Sequence, residues 1–243
     1  MCTVTYIPTS NKTFLLTSNR DEAPNRSMPQ LIFDEASPTL RLLHPKDARA
    51  GGTWLVATNN GTVACLLNGA FKKHHHSPPY RRSRGLMILD AATQYNSFEN
   101  FTQHYDFEGI EPFTLVVCES EKVFELRWDE QQIFWKQLDE TQPHIWASAT
   151  LYTLEAQQKR RQWLADFIQQ QAPLDAEKIL LFHKTAGDGD TENDVIMNRN
   201  NFVKTVSITR IEKQAGAMQM RYEDLQYNTV SEGSLPLRVA TPR

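Results

Sequence analysis

The chain has 243 residues, of which 40% are hydrophobic and 23% charged, and its 26 Lys and Arg stand against 29 Asp and Glu for a formal net charge of −3. That is enough apolar material for a sizeable core, which excludes a disordered or fibrous chain, and the near balance of charge excludes a global field for nucleic acid or an anionic membrane. No apolar run approaches the roughly 18–20 residues of a membrane span, and Met1 to Thr17 lack the basic head and greasy centre of a secretory signal, so a cytoplasmic location is expected.

Cys2 to Ile7 alternates in polarity as a half-buried strand does, and Thr13 to Ser18 reads as its hairpin partner. Asn19 to Pro29 mixes charges with two prolines and is expected to be a polar loop. Gly51-Gly52 opens a second pair of strands, Thr53 to Ala57 and Thr62 to Leu67, turned through Asn60-Gly61. After a basic, Pro-broken loop over Lys72 to Arg84, the three- and four-residue spacing of Gly85 to Tyr95 and Ser97 to Tyr105 predicts two helices. Phe113 to Glu119, Val123 to Trp128 and Ile133 to Leu138 read as a meander that His144 to Ala149 extends. Leu154 to Gln171 and Asp175 to His183 are predicted helices, Val203 to Ile211 and Met218 to Tyr222 strands, and a polar tail follows Tyr227. The order suits face-to-face sheets with helices outside, in one domain over residues 1–243.

Cys2 carries the sharpest chemical possibility. An aminopeptidase that removes Met1 ahead of a small residue leaves a thiol and a free α-amine on one residue. With unperturbed pKa values of roughly 8.5 and roughly 7.7–8.0, the neutral amine can take the thiol proton without a histidine. The same cysteine can equally be a small residue opening an edge strand. Arg20 and Asp21 end the strand predicted to pair with that of Cys2, where a guanidinium favours thiolate and a carboxylate orients an amine; a solvated turn is the plain alternative. Asn68 ends another strand directly before Gly69, where a carboxamide can face a developing oxyanion or simply form a turn.

Met1-Cys2-Thr3, Asn19-Arg20-Asp21-Glu22, Gly51-Gly52-Thr53-Trp54-Leu55, Leu67-Asn68-Gly69 and Arg82-Ser83-Arg84-Gly85 occur in an order and spacing that resembles the NRDE family, also called the transport and Golgi organisation protein 2 family. The likeness is strongest over the first third of the chain. It implies the fold of the N-terminal-nucleophile hydrolases, a four-layer αββα sandwich of two antiparallel sheets, as in the cholylglycine hydrolase and penicillin V acylase branch. By that resemblance Cys2 is the nucleophile, Arg20 its electrostatic partner, Asp21 the group that orients the amine, and Asn68 an oxyanion donor. Asn19, Ser148 and Arg84 are then expected at the substrate. Such hydrolases carry a second Asn where this chain has Ala147-Ser148-Ala149. The implied activity is amide hydrolysis on a small molecule with an anionic group, with no cofactor. The alternative is a non-catalytic ligand-handling or trafficking protein, with haem held by Cys2 or a histidine.

Other patterns carry less. His74-His75-His76 are adjacent and cannot all converge on one ion from an extended chain, so no metal is expected there. With the Lys and Arg around them they form a basic loop suited to an anion or to plain solvation. Asp188 to Asp194 lacks the Gly and Glu of a calcium loop. Cys65 and Cys118 lie on apolar strands as ordinary buried thiols, and His183 ends a helix whose carbonyls it can cap.

Overall fold

The computed structural model describes residues 3–9, 13–24, 30–47 and 49–238. Side-chain parity along the opening hairpin, β1 (Thr3–Pro8) and β2 (Phe14–Glu22), sets the layering. Even positions Val4, Tyr6, Phe14 and Leu16 belong to one apolar cluster, and odd positions Ile7 and Leu15 to another. A strand apolar on both faces needs cover on both.

The remaining elements supply it. Next come β3 (Gln30–Glu35), β4 (Arg41–Lys46), β5 (Leu55–Thr58), β6 (Val63–Asn68), α1 (Arg84–Gln94) and α2 (Phe98–His104). Then follow β7 (Phe113–Glu119), β8 (Lys122–Trp128), β9 (Ile133–Leu138), β10 (His144–Ala147), α3 (Leu154–Gln171) and α4 (Ala176–Thr185). The chain closes with β11 (Asn198–Arg199), β12 (Val203–Lys213), β13 (Ala217–Asp224) and β14 (Thr229–Pro236). One sheet runs β10-β1-β2-β12-β13-β14 with β11 beside β12, and the other runs β3 to β9 in chain order. All pairs are antiparallel.

The core between the sheets joins Val4 and Leu16 to Leu43, Trp54, Leu67 and Val116. Helices α3 and α4 cover the first sheet through Leu164, Ile179 and Phe182, while α1 and α2 cover the second through Met87, Ile88 and Phe101. Ser83, Ser97, Thr153 and Asp175 cap the four helices, each accepting a backbone N–H from the first turn. The result is the αββα sandwich that the sequence predicts.

Three expectations are corrected. Asn19 to Pro29 is not all loop: β2 runs on through Glu22, because Asn19, Arg20 and Asp21 are buried and each finds tertiary partners. β10 does not extend the meander but crosses to the first sheet, where Thr3 stands opposite Ala147 on one side and Asn19 on the other, so β1 is interior rather than an edge. The tail after Tyr227 forms β14, an edge strand exposed over most of its length and anchored by the buried Leu235. The hairpin β3–β4 has no counterpart in the sequence reading.

Candidate functional site

The proposed nucleophile, Cys2, lies outside the described residues. Its neighbour Thr3 is paired with both β2 and β10, and the candidate residues gather around that end of the two strands.

Arg20 is 4% exposed and stays on the even, inter-sheet face of β2, with its guanidinium 4.3 Å from the centre of the Trp54 ring. Its Nη2 donates to Asp47 Oδ2 at 2.6 Å, and the Glu22 carboxylate lies 3.9 Å away. Asp47 is prepared for this by a tight turn in which its other oxygen accepts from the Arg49 and Ala50 amides. Charge and stacking therefore hold the guanidinium in one place.

Asp21, one residue on, engages the helix-covered side of the sheet. Tyr152 Oη donates to its Oδ2 and Thr205 Oγ1 to its Oδ1, each at 2.6 Å. Thr205 sits at the bulge where β12 shifts register against β2, and Met197 N donates to its hydroxyl in turn. Arg20 and Asp21 thus lie on opposite faces of the sheet at the end of β2.

Asn19 is turned to the helix side and away from the cleft described below. Its Nδ2 donates to the carbonyls of His183 and Val195, which fixes the amide and leaves Oδ1 to accept from His183 Nδ1 at 2.5 Å. His183 Nε2 then accepts from Thr5 Oγ1 at 2.8 Å. The ring is fully buried, and desolvation lowers its pKa to about 3, so this is a neutral structural histidine joining α4 to the sheet rather than a helix cap.

Asn68 ends β6. Gly69 follows at φ +81°, where an added Cβ would meet Thr150 at 2.9 Å, so the sharp departure of the chain there requires glycine. Ser148 Oγ donates to the Asn68 carbonyl at 2.8 Å and tethers the end of β6 to the residue after β10. Ser148 is completely buried and serves this tether. The Asn68 carboxamide makes no hydrogen bond among the described residues.

Arg20, Asn68 and Arg84 line one cleft of about 300 Å³, walled by Gly52 to Trp54 on one side and by Tyr80 and Arg82 to Gly85 on the other. The walls are joined: Thr53 N donates to the Gly85 carbonyl at 2.9 Å, and a Cβ on Gly52 would lie 2.3 Å from the Gly85 carbonyl carbon. The arginines of the basic loop are paired with groups outside it. Arg84 meets Glu111 at 2.8 Å and the Pro112 carbonyl at 2.8 Å, and burial lowers its pKa. Glu111 also holds His74 and His76, and Arg82 is bound to Asp90. Two of the three histidines therefore share a carboxylate.

Cys65 and Cys118 are buried, and desolvation pushes the Cys65 thiol up to about 12 and raises that of Cys118 as well. Among the described residues no group of three or more His, Cys, Asp and Glu is arranged to hold a metal ion, and no helix is long and apolar enough to cross a membrane. Sequence reasoning missed Asp47, Tyr152 and Thr205, whose distance along the chain from Arg20 and Asp21 leaves no local signal.

Two antiparallel sheets between helix pairs, with β1 enclosed between β2 and β10, are the architecture of the N-terminal-nucleophile hydrolases. Solved structures share it. An N-acylethanolamine-hydrolyzing acid amidase orthologue from Caenorhabditis elegans aligns with a TM-score of 0.57 at 12% identity, over 86% of this chain and 92% of that one. A variant of conjugated bile acid hydrolase from Clostridium perfringens aligns with a TM-score of 0.59 at 11% identity, over 96% and 92%. A second variant of that enzyme, with the cysteine at its position two changed to alanine, gives 0.51 at 10%, over 98% and 97%. At such identities the likeness is one of fold. The chain belongs to the Transport and Golgi organisation 2 family, which it matches over residues 1–233. No curated protein sequence gives a significant match.

Proposed function

We propose that the chain is an N-terminal cysteine hydrolase that cleaves a C–N amide bond in a small molecule once Met1 has been removed. The register of β1 carries this reading. Thr3 stands between Asn19 and Ala147, so the end of β1 that follows Cys2 in sequence is held between β2 and β10. The even-numbered face of the β1–β2 hairpin carries Val4, which faces the other sheet, and Arg20, which lines the cleft. The fold shared with an amidase and a bile acid hydrolase supports the same chemistry.

In this mechanism the α-amine of Cys2 accepts the thiol proton and the thiolate attacks the amide carbonyl carbon. Arg20, fixed by Asp47 and Trp54, favours the thiolate, though its field is offset by the carboxylate it pairs with. Asp21, held by Tyr152 and Thr205, orients the α-amine. The carbonyl electrons move to oxygen, where the Asn68 carboxamide donates a hydrogen bond. The C–N bond then breaks as the α-ammonium returns its proton to the leaving nitrogen, leaving a thioester on Cys2. Water, losing a proton to the same amine, attacks the thioester and releases the acid. Ser148 positions Asn68, and Arg84, which lines the cleft while paired with Glu111, is the residue placed to meet an anionic group of the substrate.

Intact mass establishes whether Met1 is removed, and amine release from a panel of small N-acyl amides measures turnover. Cys2→Ser and a form retaining Met1 are both expected to lose turnover with the fold unchanged. Full activity with Met1 retained refutes the mechanism.

A further inference from the structure

Arg160, in α3, is completely buried and is the largest fully enclosed side chain among the described residues. A guanidinium so enclosed ordinarily sits against a carboxylate. This one does not: its Nε donates to Thr3 Oγ1 at 3.2 Å, its Nη1 to the Ala156 carbonyl at 3.5 Å and its Nη2 to the Asp194 carbonyl at 3.0 Å. Every acceptor is neutral, and among the described residues no carboxylate forms an ion pair with it. The guanidinium also packs 3.5 Å from the centre of the Tyr152 ring, whose hydroxyl donates to Asp21. Arg199 approaches the same ring at 5.5 Å and binds only neutral oxygens, those of Leu151, Glu192 and Asn193.

The charged groups around the start of β1 therefore divide unevenly. On the inter-sheet side Arg20 is answered by Asp47 and Glu22, and Asp224 of β13 is occupied by Tyr222 and by the amides of Gln226 and Tyr227. Cys65 of β6 is a buried thiol. On the helix side Arg160 and Arg199 both approach the Tyr152 ring, whose hydroxyl donates to Asp21, while the Asp194 carboxylate accepts from the Asp188 amide and forms no ion pair with either guanidinium. That side therefore holds two cations with no ion-paired carboxylate among the described residues, and it is the side on which Arg160 grasps Thr3.

We propose that Arg160 is a positioning residue that anchors Thr3 from behind and, as an unpaired enclosed cation, keeps the amine and thiol of Cys2 short of protons at neutral pH. A nearby fixed cation lowers the proton affinity of both groups, which is what a nucleophile that supplies its own base requires. The inference rests on the hydrolase reading above, but its test does not use turnover.

The experiment follows alkylation of Cys2 by iodoacetamide against pH in the full chain after Met1 removal, located by peptide mass, with buried Cys65 and Cys118 as silent controls. Arg160→Gln keeps a donor for Thr3 and removes the charge. It is expected to move the alkylation midpoint up by ~1 pH unit, and Arg160→Lys to restore most of the shift. Should Arg160→Gln fail to fold, Arg199→Gln, at a half-buried side chain, is expected to move the midpoint the same way by less. A midpoint unchanged in folded Arg160→Gln, or in Arg199→Gln if that is the folded variant, overturns the role of Arg160 and leaves the hydrolase reading intact. A wild-type Cys2 that alkylates no more readily than an ordinary cysteine overturns the hydrolase reading itself.

Discussion

The Arg20–Asp47 pair offers a test of the site that needs no substrate. Asp47→Asn keeps the oxygen that accepts from Arg49 and Ala50, so the turn survives, and replaces the charged oxygen that accepts from Arg20, a guanidinium that is 4% exposed, with an amide NH2. Breaking a buried pair by neutralising one partner costs about 3–5 kcal/mol, because the other charge is left uncompensated. Here the lower end applies, about 3 kcal/mol, since the Glu22 carboxylate remains 3.9 Å away and Trp54 still stacks on the ion. For a chain of this size that is a fall in Tm of about 6–12 °C. Urea denaturation of wild type, Asp47→Asn, Arg20→Met and the double variant forms a cycle. The double variant is expected to be more stable than Asp47→Asn alone, having no stranded charge. A cost for Asp47→Asn below about 1 kcal/mol, or strictly additive effects, refutes the claim that this pair fixes Arg20.

Asn68→Ala should lower kcat by about 10²–10³-fold with little change in KM or Tm, as expected for a donor used in the transition state; a rise in KM alone counts against that role. His183, neutral in the fold with a pKa lowered from 6.5 to about 3, leaves the unfolded chain to bind one more proton below pH 6.5. Its contribution is therefore complete above that pH and is lost as pH falls toward 3, at about 1.4 kcal/mol per pH unit. Urea midpoints measured between about pH 6.5 and 4.5 should show a loss of about 2–3 kcal/mol that is absent from His183→Gln, and an equal slope in the variant would exclude His183 as its source. Gly52→Ala forces a Cβ to 2.3 Å from the Gly85 backbone, which no rotamer change relieves. It should destabilise by about 3 kcal/mol or more or prevent folding, whereas a wild-type Tm would show that the walls can part.

The sequence exposes much of this architecture because its apolar periodicity is regular where strands and helices are covered by apolar neighbours. Phe113–Glu119, Ile133–Leu138 and Leu154–Gln171 begin and end where the pattern predicts. It fails where burial is polar. The last residues of β2 look like a loop because the groups that satisfy them, Asp47, Tyr152, His183 and Thr205, come from distant parts of the chain. β10 has a strand's composition, but which sheet it joins is a tertiary choice that four residues do not encode. β14 is missed because an edge strand with one exposed face keeps little apolar signature beyond Leu235. Arg20, Asp21 and Asn68 are legible as polar residues at strand ends, whereas the uncompensated Arg160 reads as one more surface charge on an amphipathic helix.

The seam at Gly52 and Gly85 bears on selectivity. Because backbone rests on backbone there, without a side chain to swing aside, the cleft has a set width at that seam, and under the proposed hydrolase reading molecules that differ in girth near the bond to be cleaved are discriminated by shape at entry instead of by adjustment after arrival. Broadening the range of accepted compounds would then call for changes on the opposite rim, at Tyr80 or Arg82, and not at the glycine joint.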